Sequence, residues 1–135
     1  WQGYCPTHFV IQPAMVLASK KQHPDALVLA HPECSQEVLE LADYIGSTQG
    51  IMDYAGSSPA QRFIILTEAG LLLRLKRLHP HKHFYSIAPC PHCPYMKFVE
   101  LDRVLDCLEN ERNPIEISTD IMIRARRSIE RMMAV

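Results

Sequence analysis

The loop Cys90-Pro91-His92-Cys93 places two thiols and an imidazole directly before a predicted helix. Thiolate sulfur and imidazole nitrogen are zinc ligands, and thiolates also hold iron–sulfur clusters. Such a loop can also perform thiol–disulfide exchange, because a helix N-terminus lowers the pKa of the first thiol. The residue types alone therefore leave three chemistries open.

Thiol–disulfide exchange fits the position of this loop poorly. In thioredoxin-like proteins the motif follows an early strand, whereas here it lies two-thirds of the way along the chain, directly before Pro94. A Cys-x-x-Cys spacing is also a weak signal when it stands alone. An oxidoreductase acting through Cys90 and Cys93 is therefore the less favoured alternative.

A structural zinc site needs four ligands in a closed geometry. Besides the cysteine loop, the sequence offers His79, His81 and His83, which precede a predicted strand over 84–87. That strand separates these histidines from the thiols by roughly 13 Å, at about 3.3 Å per residue. We expect the histidines to form an exposed turn instead.

Iron–sulfur ligation requires a second, distant cysteine at the same edge of the fold. The pattern of residues 1–8 (WQGYCPTH) predicts the end of a strand followed by the start of a helix, with Cys5 at the junction. Cys5 and Cys93 are each followed by a proline and then a predicted helix, as if one loop design were used twice. A cluster with three protein ligands would leave one iron open to substrate.

The elements that must position these residues alternate between strand and helix. Short apolar runs predict four buried strands, over Ala26 to Ala30, Tyr44 to Ile45, Phe63 to Leu66 and Phe84 to Ile87. Helical patterns cover Phe9 to Lys21, Ser35 to Ala42, Gln49 to Ala55 and Glu68 to Leu78. The alternation predicts an α/β fold, a three-layer αβα domain with a four-stranded parallel sheet.

A helical C-terminal segment follows this predicted domain. Amphipathic patterns predict helices over Lys97 to Glu109 and Thr119 to Met133, and Pro114 to Ser118 is compatible with a short strand.

Polar residues follow the strands at their carboxyl ends. His31 and Glu33 follow the first strand, Ser47 and Thr48 the second, and Glu68 the third. Ligands of open parallel sheets bind at this edge, where helix N-termini also offer N–H groups to anions. The histidine and glutamate suit substrate binding and proton transfer, and the Ser-Thr pair suits a carboxylate or phosphate.

Taken singly, three of these residues have ordinary structural roles. Thr48 is an acceptable helix cap, Glu68 suits a helical first turn, and His31 alone would more often be a structural histidine. The position of all these polar residues at the carboxyl edge of the predicted sheet is what favours a ligand-binding site there.

The composition agrees with a compact domain, alone or with a tail. The chain has 135 residues, is 47% hydrophobic and carries a net charge of −1, which argues against nucleic acid or an anionic membrane as partner. No apolar run reaches the roughly 18 residues that a membrane span needs.

Five irregularly spaced cysteines predict a reducing compartment, hence the cytoplasm. Because the chain begins at Trp1, we expect its native start to be missing.

Five stretches, in order and spacing, resemble the quinolinate synthase family. They are WQGYCPTH at 1–8, HPEC at 31–34, ADYIGST at 42–48, TEAGL at 67–71 and CPYMK at 93–97. The likeness runs over nearly all of the chain, from Trp1 to about Met133. Several motifs in register are far more specific than any one of them.

The resemblance implies an enzyme of three similar α/β domains, of about 300 residues or more, of which this chain would carry the third. Residues 1–5 would then end the preceding domain, and residues 6–93 would form the α/β domain. Residues 94–135 would form a C-terminal segment that packs on the missing N-terminal domain.

The same resemblance implies a central 4Fe–4S cluster that takes one cysteine from each domain. Cys5 and Cys93 would be two of those ligands. Cys90 resembles an extra cysteine of some family members and is not expected to be a ligand. Cys34 and Cys107 are expected to be buried thiols.

The reaction implied by the resemblance condenses iminoaspartate with dihydroxyacetone phosphate to quinolinate in de novo NAD biosynthesis, with the open iron as Lewis acid. His31 and Glu33 would bind substrate and relay protons, while Thr48, assisted by Ser47, would hold a carboxylate or phosphate. Expected partners are the missing N-terminal domains and the enzyme that oxidises L-aspartate to iminoaspartate.

The 135-residue chain by itself is expected to be inactive, because two thiolates cannot replace three. A non-catalytic metal- or ligand-binding α/β module is the alternative from another functional class.

Overall fold

The computed structural model describes residues 3–134. The chain divides into two compact units, Trp1–Met96 and Lys97–Val135, and each is described by itself. Trp1 and Gln2, which belong to the predicted strand end before Cys5, lie outside the described residues. Gly3 to Cys5 are in neither helix nor strand.

The first unit is built on a parallel sheet of four strands in the order β2-β1-β3-β4. The strands are β1 (Leu27–Ala30), β2 (Tyr44–Ile45), β3 (Arg62–Leu66) and β4 (His83–Ser86). All four predicted strands are therefore confirmed, with ends shifted by one residue at most.

Six helices lie within the described residues 3–97. They are α1 (Pro6–Phe9), α2 (Pro13–Gln22), α3 (Gln36–Leu39), α4 (Thr48–Ser57), α5 (Gly70–Leu78) and α6 (Pro94–Lys97). The single helix predicted over Phe9 to Lys21 is wrong in one respect, because a break separates α1 from α2. Pro13 has no N–H to continue a helix from Phe9, but it is well suited to begin a new one.

The strands bury side chains on both faces of the sheet, which produces three layers. Val28 and Ile64 pack with α2 and α3 on one face, while Leu29 and Ile65 pack with α4 and α5 on the other. Successive strand residues point to opposite faces, so the continuous apolar runs are the expected pattern for a doubly covered sheet. The predicted αβα architecture is confirmed.

The centre of the sheet is a topological switch point. Strands β1 and β3 are neighbours, yet β1 leads into α3 on one face and β3 leads into α5 on the other. Connections that leave adjacent strands toward opposite faces open a crevice at the carboxyl ends of those strands. The polar residues after β1 and β3 therefore share this crevice.

The second unit contains α7 (Leu101–Asn110) and α8 (Thr119–Met133). The predicted bounds of α8 are confirmed, but the helix predicted from Lys97 begins only at Leu101. Residues 114–118 are not a strand, and no described strand lies in this unit to pair with them. Met122, Ile129 and Met132 are exposed. No described helix is long and apolar enough to cross a membrane.

Lys82 closes the C-terminal end of α4, a contact that the sequence did not predict. Its side chain is 7% exposed, and Nζ donates to the carbonyl oxygens of Ala55 (2.6 Å) and Ser58 (2.7 Å). A cation at this end of a helix is stabilised by the helix dipole. The exposed turn predicted for the three neighbouring histidines is confirmed at His81, whereas His79 is partly buried and His83, although exposed, begins β4.

Replacing Lys82 with methionine tests this contact, because Lys82→Met keeps the apolar stem and removes the ammonium donor. We expect the free energy of unfolding to fall by about 1–3 kcal/mol, since the carbonyl oxygens lose a charged donor while remaining at a buried helix end. Urea denaturation followed by circular dichroism measures the change. Lys76→Met, on the exposed side of α5, is the matched control, and an equal loss in both variants would contradict the role of Lys82.

Candidate functional site

The site is built on the carboxyl ends of the two central strands. His31 follows β1, and its N–H donates to the carbonyl oxygen of Leu66 at 3.2 Å, which extends the pairing of β1 with β3 by one residue. Glu33 turns back toward it, with its N–H donating to His31 Nδ1 at 3.3 Å. The predicted pair is therefore held together by backbone geometry at the switch point.

His8 is the central residue of this site, and sequence analysis did not predict it. Its Nε2 lies 2.8 Å from the hydroxyl oxygen of Thr67, which follows β3. Its ring stacks on His31 with centroids 4.2 Å apart, and its Nδ1 lies 3.4 Å from Glu33 Oε2. The spacing Cys5-x-x-His8 could have revealed it, since positions three apart share one face of a helical turn.

Glu33 is the carboxylate beside the two stacked imidazoles. Its Oε2 is 3.4 Å from His8 Nδ1 and 3.7 Å from His31 Nδ1, and its side chain is about half exposed. One carboxylate flanked by two imidazoles is an arrangement that can accept and pass on protons.

Burial keeps His8 in its neutral form. Desolvation is the main reason why the pKa of His8 lies below its ordinary value of 6.5, and the nearby His31 lowers it further. The carboxylate of Glu33 acts in the opposite direction without cancelling the effect.

Cys5 lies beside this group, directly before α1. One ligand atom each from Cys5, His8 and Glu33 lie within 4.8 Å of one another. Thiolate, imidazole and carboxylate are all ligands for divalent transition metals. Cys5 therefore faces the crevice together with the polar residues after β1.

Cys93 reaches the same edge of the sheet from the other end of the unit. Thr7 of α1, the helix that begins directly after Cys5, lies near enough to influence the Cys93 thiol. Its pKa is lowered chiefly by the backbone N–H of Met96, and also by Thr7. The loop before it is anchored by Ala69, whose N–H donates to the carbonyl oxygen of Pro91 at 2.9 Å.

The other three cysteines have different surroundings. Cys34 is a buried thiol as predicted, and desolvation raises its pKa to about 11. Cys107 is exposed, so the expectation that it is buried is wrong: α7 is amphipathic and has no buried residue on any face in this chain. Cys90 is exposed, and its Sγ lies 2.9 Å from the Ser86 hydroxyl.

Ser47 and Thr48 follow β2 and begin α4. Ser47, not Thr48, is the N-cap, because its hydroxyl oxygen accepts from the N–H of Gly50 at 3.1 Å. Thr48 is the first helical residue, and both side chains are exposed. Glu68 is not in the first turn of a helix as expected, since it precedes Ala69, the N-cap of α5. Its carboxylate accepts from the N–H of Gly70, the first helical residue, at 2.6 Å.

Comparison with known proteins gives consistent matches over the whole chain. A family model described as quinolinate synthetase A protein matches residues 1–134. The chain is 44% identical to a quinolinate synthase of Thermodesulfovibrio yellowstonii over 133 residues (98% of this chain). It is 46% identical to one of Methanosarcina barkeri over 135 residues (100% of this chain). In both cases the match spans 44% of the relative's length.

The lowered pKa of His8 makes stability depend on pH. Below pH 6.5, its ordinary value, the unfolded chain takes up a proton that folded His8 resists. The free energy of unfolding should therefore fall as the pH decreases from 6.5, by at most about 1.4 kcal/mol per pH unit. Urea titrations at a series of pH values with chelator should show a flatter profile for His8→Gln. The same profile in His8→Gln and the parent chain would contradict this prediction.

The surroundings of Cys34 and Cys93 predict very different alkylation rates. A rise of the pKa from 9.0 to about 11 lowers the thiolate fraction of Cys34 at pH 8 about a hundredfold, while the pKa of Cys93 lies below 9.0. When the reduced chain is treated with iodoacetamide, Cys93 should therefore be modified before Cys34, as measured by peptide mass spectrometry. In denaturant the alkylation rates of Cys34 and Cys93 should become equal. Equal rates in the folded chain would contradict the predicted difference between the two thiols.

Proposed function

Since the chain belongs to the quinolinate synthetase A protein family, we propose that it forms the third α/β domain and C-terminal segment of a quinolinate synthase. The reaction is the condensation of iminoaspartate with dihydroxyacetone phosphate to quinolinate. The observation that carries this proposal is the convergence of His8, His31, Glu33 and Cys5 at the switch point of the sheet.

Cys5 and Cys93 fit a thiolate-bound 4Fe–4S cluster. Both adjoin α1, and the lowered pKa of Cys93 favours the thiolate that a cluster requires. When bound, the cluster would supply a Lewis acid at an iron without a protein ligand. The remaining thiolate would come from outside this chain, since the match covers only 44% of each relative.

The chain's own residues account for proton transfer and anchoring of substrate. Glu33 Oε2 accepts a proton from the bound substrate, and the imidazoles of His31 and His8 at 3.7 Å and 3.4 Å stabilise or pass on that proton. Stacking of the two rings holds His31 in place. The lowered pKa of His8 means that its ring passes on a proton rather than keeping it.

The N-terminus of α4 is suited to hold an anionic group of the substrate. α4 follows β2, whose carboxyl end lies beside that of β1 at the same edge. Thr48 offers an exposed hydroxyl there, and Ser47 uses its oxygen for Gly50 but keeps its own proton for donation. The free N–H groups of the first turn attract a carboxylate or phosphate.

Three further proposals concern the surroundings of this chain. The missing N-terminal domains cover the apolar faces of α7 and α8, where Leu101, Leu108 and Met132 are more than two-thirds exposed. An L-aspartate-oxidising enzyme supplies iminoaspartate, which hydrolyses readily in water. The setting is the cytoplasm, where the five free cysteines stay reduced.

The alternatives have less support from the described residues. An oxidoreductase would use Cys90 with Cys93, but Cys90 Sγ lies 2.9 Å from the Ser86 hydroxyl, and the pKa of Cys93 is lowered by Met96 and Thr7 and not by Cys90. A purely ligand-binding module gives no reason for a carboxylate beside the Nδ1 atoms of two stacked imidazoles.

A chimera tests the proposed activity. In it, this chain replaces the matching 44% of the T. yellowstonii quinolinate synthase, and the protein is prepared without oxygen. We expect quinolinate formation from iminoaspartate and dihydroxyacetone phosphate, measured by liquid chromatography, together with the broad visible absorption of a cluster. Glu33→Gln should lower kcat by about 10²–10⁴-fold while retaining that absorption.

Cysteine variants of the chimera separate the roles of the two neighbouring thiols. Cys93→Ser should lose both the visible absorption and the activity, whereas Cys90→Ser is the matched control and should keep both. A folded chimera with its cluster but without quinolinate formation would contradict the proposed reaction. Retained absorption in Cys93→Ser would contradict the proposed ligand set.

A further inference from the structure

The side chains of Cys5, His8 and Glu33 form a compact set of three different metal ligands. Their ligand atoms lie within 4.8 Å of one another. Bonds of about 2.3 Å to sulfur and about 2.0 Å to nitrogen or oxygen in a tetrahedral zinc site put ligand atoms roughly 3.5 Å apart. His8 Nδ1 and Glu33 Oε2, at 3.4 Å, already have that separation.

The buried nitrogen of His8 points to a ligand at this place. Nδ1 is buried and makes no hydrogen bond with any described residue, although a carboxylate oxygen lies 3.4 Å away. His8 itself is only 7% exposed, so the cost of leaving this nitrogen unsatisfied is high. A cation bound to both atoms removes that cost.

Thr67 orients the ring as a metal ligand requires. Its hydroxyl lies 2.8 Å from Nε2 and is itself buried. Metal-bound histidines usually donate their second ring N–H to such a partner, which fixes the ring and leaves the other nitrogen to the metal. The imidazole is therefore pre-positioned with Nδ1 toward Glu33, and Cys5 lies within the same group of ligand atoms.

We propose that Cys5, His8 and Glu33 bind a single divalent transition-metal ion of the Zn²⁺ type when no cluster is assembled. The Cys5 thiol releases its proton to solvent on binding, so thiolate and carboxylate together neutralise the two positive charges. The half-exposed side of Glu33 leaves a fourth position for water. Because this site and the proposed cluster share Cys5, occupancy by one ion excludes the cluster.

Co²⁺ is the probe for this site, because its spectrum reports both thiolate ligation and four-coordinate geometry. The reduced, chelator-treated 135-residue chain is titrated with Co²⁺ without oxygen, and circular dichroism verifies that each variant is folded. We expect one equivalent to produce a thiolate charge-transfer band and intense visible bands, which Zn²⁺ then displaces. His8→Ala and Cys5→Ser should lose these bands, and Thr67→Val should weaken binding by about 10–100-fold.

Cys93→Ser separates this inference from the proposed function. It should leave Co²⁺ binding unchanged while abolishing the cluster, and His31→Gln should also keep the Co²⁺ bands. Bands that persist in His8→Ala, or that disappear in Cys93→Ser, would overturn the proposed ligand set. A folded chain that gives no four-coordinate spectrum would overturn the site itself, and the chimera provides the same titration if the isolated chain does not fold.

Discussion

The hydrogen bond between His8 Nε2 and the Thr67 hydroxyl is the contact on which the site depends. It joins α1 to the end of β3 across 59 positions of sequence, and both residues are buried. A buried polar pair of this kind is costly to break, because each partner would lose its hydrogen bond without gaining water. The position of α1, and hence of Cys5, follows from this contact.

The remaining site residues are placed relative to that pair. The ring of His8 supports His31 by stacking and faces Glu33, and Thr7, one residue earlier in α1, lies near enough to lower the pKa of Cys93. Residues from both ends of the first unit therefore meet at the crevice between β1 and β3. The sheet supplies rigidity there, since Leu29, Ile65 and Leu66 at these strand ends are fully buried.

Much of the architecture could be predicted because it follows from local patterns. Continuous apolar runs fixed the four strands, and the apolar period of α8 gave both of its ends. The strand-end placement of His31 and Glu33 followed from the alternation of strand and helix. The errors arose where one residue alters a pattern, as Pro13 does between α1 and α2, or where burial was assumed, as for Cys107.

The sequence by itself determined the αβα class, the edge at which polar residues gather and the resemblance to a family. Only the tertiary structure revealed His8 as the centre of the site and Lys82 as the residue that closes α4. Both roles depend on partners 59 and 27 positions away, so no periodicity or spacing within one element could indicate them. Tertiary structure also decided how easily each thiol ionises. Burial makes the Cys34 thiol resistant to ionisation, whereas backbone N–H groups favour the thiolate at Cys93.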